Sequence, residues 1–438
     1  MNAAATAERR AREQLQRALV GPTSLIRFCK SFLHSPHEPR LHACTAKIAA
    51  SSVYGVREFP GDAGSVGFTR DEAILGAIGE CVERYCYSYF DERDTLVASM
   101  RELRGAVMSF DRFELFADEQ YGRPGFPFAR FRPDVPIRWV RAHDLPGGNP
   151  VWVPACLVYI PYVPRNRDDL LCHSVSSGQA CHSDPDRALL TGLCEVVERD
   201  AFMTGWLRQL RLPKVDFLSD PIVAEQYRAY FECEGLTFHV VDLTLDVAIP
   251  TYACFVEGVS VRGPVVGMGA STRVCRREAI VKSMKEAAQD FYWCRDLLVR
   301  RKDWRPAPDW SNVVEFEDHV RLYCEPDMRR HLDFWLAAPP SRAVAPAEDV
   351  ESAPPDEQLA HCFALLAARG LETLVFDGTA PDVRRAGLVA PKVLIPGMVS
   401  LTANHLLPAL GARRLWTVPE ECGYQGSAEP NPIPHPFP

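Results

Sequence analysis

Short apolar runs alternate along this chain with stretches of helical patterning. VWVPACLVYIPY (151–162), LTFHVVDLTL (236–245), IPTYACFVEGV (249–259), LETLVFDGT (371–379) and PKVLIPG (391–397) are brief and rich in β-branched and aromatic side chains. Each is bounded by Pro, Gly or Asp, so each reads as a buried strand. With helices between them, the pattern predicts an α/β fold. MNAAATAERRAREQLQRALV at the start predicts a surface helix; it lacks the apolar segment of a secretory signal. Residues 337–357, rich in Ala, Pro and acidic side chains, predict an exposed loop. The closing NPIPHPFP holds four prolines and can be neither helix nor central strand. No composition shift marks a linker. The expected organisation is an N-terminal helical extension over 1–43, one α/β unit over 44–421 and a Pro-rich tail over 422–438.

Composition narrows the function classes. The 438 residues are 47% hydrophobic and 24% charged, which excludes global disorder. A net charge of −8 argues against a generic nucleic-acid binder. No apolar run approaches the roughly 18 residues of a membrane span. Fifteen cysteines without a CxxC pair read as reduced, mostly buried thiols, which places the chain in the cytoplasm.

One carboxylate pattern recurs. AILGAIGECVER (73–84) and ALLTGLCEVVER (188–199) share the frame A-φ-φ-x5-E-x2-E-R, φ being apolar, at an offset of 115. AIVKSMKEAAQD (279–290) fits the same frame with Glu286 first and Gln289 second. Each copy follows small residues, in GDAGSVGF (61–68), SVSSGQACHS (174–183) and GMGAST (267–272), expected to be loops. Three helices are predicted. Thr69 with Glu72 makes a capping box, Asp184 before Pro185 caps the second helix, and Ser271 or Thr272 can cap the third. A spacing of three puts Glu80 with Glu83, Glu195 with Glu198, and Glu286 with Gln289 on one helix face each.

Apolar neighbours imply that these faces are largely buried, where carboxylates must be paired or cation-bound. Arg84 and Arg199 supply part of the pairing. Five acidic groups exceed that supply, and oxygen-only ligands point to Mg2+. Small-residue loops opening onto helix N-termini would cradle phosphates. The pattern therefore predicts Mg-nucleotide binding without the GxxxxGK[ST] motif, which is absent.

AIGECVER (77–84), CEVVERDA (194–201) and EAAQD (286–290), taken together with DGTAPDV (377–383), VLIPGM (393–398) and a PxPxP ending at Pro432, Pro434 and Pro436, resemble the YcaO family over about residues 45–438. The tail resembles that of its azoline-forming cyclodehydratases, the D proteins of thiazole/oxazole-modified peptide biosynthesis. The resemblance implies a YcaO-type fold, mixed sheets with helices carrying the ATP site. It implies ATP and Mg2+ as cofactors. A Cys, Ser or Thr side chain of a ribosomally made precursor peptide would attack the preceding backbone carbonyl. The resulting oxygen would take the terminal phosphoryl group of ATP, and phosphate would leave to give thiazoline or oxazoline.

By the same resemblance, Glu80, Glu83, Glu195, Glu198 and Glu286 would hold Mg2+ and, through it, phosphates. Gln289, Ser177 and Gly178 would contact the nucleotide, and Arg84 and Arg199 would orient the site. A stiff tail could deliver the Pro438 carboxylate as a base, with His435 a second candidate. Departures from the family pattern stand at Ala77, Val66, His182 and Trp293; Arg295 is a substitute for the arginine expected at Trp293. The 43 residues before the core are too few for a winged-helix leader-binding module. The implied partners are the precursor peptide, a ThiF-like (ubiquitin-activating-enzyme-like) leader-binding protein, a flavin-dependent azoline dehydrogenase and a second copy in a homodimer. Thioamide or amidine formation, or a catalytically weakened peptide- or partner-binding scaffold, are the alternatives.

Overall fold

The computed structural model describes residue 15 and residues 18–32, 37–49, 63–88, 90–110, 115–145, 147–260 and 263–438. In the segment IRFCKSF, β1 (Ile26–Phe32) pairs antiparallel with β2 (His42–Ile48), which pairs antiparallel with β3 (Ala63–Gly67). The expectation of a helical extension over 1–43 is corrected here. In β1 Cys29 and Ser31 turn inward while Phe28, Lys30 and Phe32 are exposed, and that period of two forms a strand of the first sheet. Most of the predicted N-terminal helix lies outside the described residues. The helix α1 (Arg70–Ser88) lies on this sheet.

β4 (Leu96–Ala98), β5 (Ala106–Val107), β6 (Ile137–Leu145) and β7 (Pro150–Pro154) begin a second sheet. β8 (Lys214–Asp216), β9 (Thr237–Asp242), β10 (Thr251–Ser260), β11 (Gly263–Thr272) and β12 (Arg342–Ala343) form a third, in the order β11-β10-β9-β8-β12. β13 (Thr373–Asp377) and β14 (Pro391–Leu394) return to the second sheet, ordered β14-β13-β6-β7-β5, with β4 on β6. All five runs predicted as strands contain one. The fold is the mixed α/β arrangement expected, with antiparallel pairs dominating.

α2 (Pro185–Leu207) runs between the second and third sheets, against β14 on one side and β11 on the other. α3 (Arg276–Arg300) covers β10 and β11. Asp184 caps α2 by accepting from the N–H groups of Asp186 and Arg187. Thr69 accepts from Glu72 N at 3.2 Å. The third cap is corrected: Cys275 occupies that position, because Ser271 and Thr272 belong to β11.

Two of the three expected small-residue loops are strands. AGSVG is β3, and GMGAST is the second half of β11. Close helix approach explains the composition. A Cβ on Gly269 would lie 2.4 Å from Ala287 N, and one on Gly267 would lie 2.8 Å from Ala287 O. The small residues of GMGAST admit α3 onto the sheet, and both segments are strands rather than loops. SVSSGQACHS is the one that stays a loop.

Candidate active site

The three helices point their paired positions at one another in a cyclic order. Glu83 of α1 accepts from Cys181 N at 2.7 Å, in the loop before α2. Glu198 of α2 accepts from Thr272 N at 2.9 Å, at the end of the strand before α3. Gln289 of α3 donates to Gly64 O at 3.2 Å, in the strand before α1. The second position of each copy thus fastens its helix to the segment leading into the next.

The first positions make different contacts. Glu80 pairs with Arg84 at 3.4 Å and also accepts from Gly64 N at 3.0 Å. Glu195 pairs with Arg199 at 3.1 Å, and Glu286 with Lys282 at 3.0 Å. Their side chains keep 33%, 23% and 30% exposure, against 6% for Glu198. Glu80, Glu195 and Glu286 therefore face the accessible centre and Glu198 braces it from behind, while Glu83, half-buried, is tied to the loop before α2.

All five carboxylates share one field. Burial, opposed by Arg84 and reinforced by Glu195 and Glu80, pushes the Glu83 carboxyl up to about 8. Burial, opposed by Arg199 and reinforced by Glu286 and Glu195, pushes Glu198 up to about 8. Among the described residues no three acidic, histidine or cysteine side chains already enclose a cation. The donor set nonetheless fits a hard divalent ion with a phosphate chain. It offers oxygen-only ligands whose mutual repulsion a cation would relieve. Arg199 Nε and Ser271 Oγ are buried without a hydrogen-bond partner among the described residues. Arg199 Nη1 lies 3.2 Å from Glu198 but is not aligned for a hydrogen bond.

The raised carboxyls set a pH dependence. Between pH 4.5 and about 8 the native chain holds protons on Glu83 and Glu198 that the unfolded chain has lost. Stability of the cation-free protein should therefore fall as pH rises through that window. Thermal melts should show Mg2+ raising the melting temperature more near pH 8 than near pH 5.5. An equal Mg2+ shift at both ends would contradict ion binding at these groups.

The Pro-rich tail reaches this centre. Proline has no N–H, so the tail is held through its carbonyls. Trp206 Nε1 donates to Ile433 O at 3.1 Å and the Tyr323 hydroxyl to Pro434 O at 2.9 Å. His319 Nδ1 stands 2.7 Å from His435 O. Phe437 then lies under Arg199, with the guanidinium 4.1 Å from the ring centre. Arg199 thereby joins the tail to Glu195 and Glu198. Pro438 follows, half-buried. His435 goes elsewhere: its ring is buried, stacks on His319 at 3.9 Å and contacts Thr402 O at 2.9 Å through Nε2. That is an anchoring position rather than one at the glutamates.

Ser177 and Gly178 lie on the loop before α2, Gly178 with a φ of +85°. Of the departures, Ala77 and Val66 are core residues, and Trp293, on α3, packs partly buried against the core. His182 accepts from Asp184 N at 2.8 Å in a turn. Arg295 does not substitute in the site, because it pairs with Glu38. Trp206, Tyr323 and His319 carried no signal in the sequence, since what they hold lies over a hundred residues away. Lys392, buried in β14 beside the centre, was equally silent. Burial, offset in part by Glu195, lowers its ammonium to about 7. A cleft of about 880 Å3 between Arg211, Lys214, Trp335, Arg342 and Tyr424 includes none of these residues. No helix among the described residues is long and apolar enough to cross a membrane.

Residues 64–399 match the family model described as YcaO cyclodehydratase, ATP- and Mg2+-binding. An uncharacterized protein of Methanothermobacter thermautotrophicus is 27% identical, the match covering 81% of this chain and 83% of that protein. Among solved structures, a heterocyclase in complex with substrate and cofactor superposes with a TM-score of 0.76 at 24% identity over 98% of this chain. The heterocyclase TruD gives 0.63 at 23% over 97%. This chain spans 57% of the length of each of those two heterocyclases. YcaO from Methanopyrus kandleri bound with AMPPCP and Mg2+ gives 0.60 at 18%, covering 92% of both chains.

Proposed function

The chain belongs to the YcaO family, whose members are described as ATP- and Mg2+-binding, and from that premise we propose that it is an azoline-forming cyclodehydratase acting on a ribosomally made precursor peptide. The observation that carries the reading is the junction at Arg199. One guanidinium contacts Glu195 and Glu198 of the acidic centre and the Phe437 ring of the PxPxP tail. A non-catalytic scaffold has no need to hold a proline-rich segment by its carbonyls so that Phe437 meets the arginine of the acidic centre.

In this reading Glu80, Glu195 and Glu286 would hold Mg2+ from the accessible side, and Glu83 and Glu198, once ionised, would add their charge. Bound Mg2+ neutralises charge on the phosphate chain of ATP. Gln289, Ser177 and Gly178 line the nucleotide, and Arg84 keeps Glu80 oriented. The peptide side chain adds to the preceding carbonyl carbon, and the oxygen so formed accepts the terminal phosphoryl group. ADP leaves in that transfer; phosphate then departs with the oxygen as the former amide nitrogen gives up its proton and the C=N bond of the azoline forms. The tail holds Pro438 for proton removal at the attacking group.

Positioning of the peptide falls to a leader-binding partner of the ThiF-like class; a flavin-dependent dehydrogenase and a second copy of the chain complete the proposed assembly. Adding such a partner to a leader-bearing peptide should raise the modification rate by orders of magnitude through proximity. The rate of peptide modification with and without the partner tests this, and equal rates would count against it.

A further inference from the structure

The loop before α2 runs beside β14. Ala180 donates its N–H to Pro391 O at 3.1 Å, and Val393 donates to Gly178 O at 2.8 Å. These bonds bracket an antiparallel bridge between Gln179 and Lys392. In such a non-hydrogen-bonded pair the two side chains leave on the same face, about 5 Å apart at Cβ. A Cβ on Gly178 would lie 2.1 Å from Val393 O, so the bridge depends on glycine at that position.

Both side chains are buried, at 3% and 1% exposure. Lys392 Nζ donates to Val175 O and stands 6.0 Å from the Tyr87 ring centre. Glu195 of α2 and Arg84 of α1 are charges within its electrostatic reach. Neither the amide nitrogen nor the amide oxygen of Gln179 has a hydrogen-bond partner among the described residues. A buried carboxamide with both ends unpaired opposes folding, and native proteins carry few. A lysine nitrogen with donors to spare, on the same face as an unpaired amide N–H and like it shielded from water, is a donor set suited to an anionic oxygen.

We propose that Lys392 and Gln179 form a subsite for an anionic oxygen of the reaction, separate from the glutamate set. The proposal rests on the ATP-dependent reading above. Two sources supply such an oxygen: the terminal phosphoryl group of the nucleotide, and the oxygen of the attacked peptide carbonyl.

The test uses the full chain with Gln179→Leu and Lys392→Met. Leucine removes the unpaired amide at similar volume, so Gln179→Leu should melt at the wild-type temperature or higher. If the subsite takes the terminal phosphoryl group, both variants lose about tenfold in affinity for Mg-AMPPCP and keep wild-type affinity for Mg-ADP. If it takes the peptide oxygen, both nucleotides bind as in wild type and kcat of ring closure falls by about 100-fold. Unchanged affinities together with unchanged kcat in folded Gln179→Leu would overturn the subsite. Failure of the wild-type chain to bind Mg-AMPPCP would instead remove the ATP-dependent reading on which it rests.

Discussion

Glu198→Gln should lower ATP turnover by at least about 100-fold, the scale on which preorganised charge at a reacting centre acts, while the protein folds as before. Glutamine keeps an acceptor for Thr272 N, now at 2.9 Å, so the brace between α2 and β11 survives. It also resembles the protonated carboxyl that burial favours in the cation-free protein. What disappears is the capacity to become an anion when Mg2+ arrives. Glu80→Gln and Glu286→Gln should act alike, because each removes a partly exposed oxygen anion from the accessible centre. Phosphate release in Mg2+, with circular dichroism melts as the folding control, measures the effect. Wild-type turnover in all three variants would refute the three-helix site.

The recurrence of E-x2-E was legible because a helix converts a spacing of three into one face, whatever surrounds it. That property brought Glu80, Glu83, Glu195, Glu198, Glu286 and Gln289 into one centre. Small residues were less decisive. AGSVG and GMGAST have loop composition, yet glycine and alanine are also what a strand needs beneath a tightly packed helix, and Ala287 lies within van der Waals distance of where a Gly269 Cβ would sit. Only the tertiary packing separates those cases. β1 escaped notice because its aromatic residues face outward, with Phe28 and Phe32 both exposed. Lys392 is one lysine in an apolar strand, and nothing local says that it is buried beside Glu195. The tail was legible as stiff and terminal in the written chain, but Trp206, Tyr323 and His319, which aim it, come from α2 and from the helix Phe316–Leu322 and its flank, far off in sequence.

Deleting His435–Pro438 should lower ring formation by about 100-fold, the scale of a positioned acid–base group. The deletion takes Phe437 from beneath Arg199 and carries away Pro438. Affinity for Mg-nucleotide should change only a few-fold, because Glu83, Glu198 and Glu80 are fastened by Cys181, Thr272 and Gly64 and not by the tail. Phe437→Leu separates the two contributions: it keeps apolar bulk but loses the cation–π contact, worth about 1–2 kcal/mol when shielded from water. A smaller loss of ring formation is expected for it than for the deletion. Mass spectrometry of the peptide beside nucleotide titration measures both quantities. Full ring formation by the deletion variant would show that the tail is a strut and not part of the chemistry.

The most direct measurement of the central claim is the stoichiometry of the reaction in Mg2+ with the cognate peptide and its partner. Phosphate released from ATP is counted against the mass lost by the peptide. Cyclodehydration predicts one water lost from the peptide for each phosphate released, and no mass change when AMPPCP replaces ATP. A peptide that gains mass, or that loses water without consuming ATP, would contradict it.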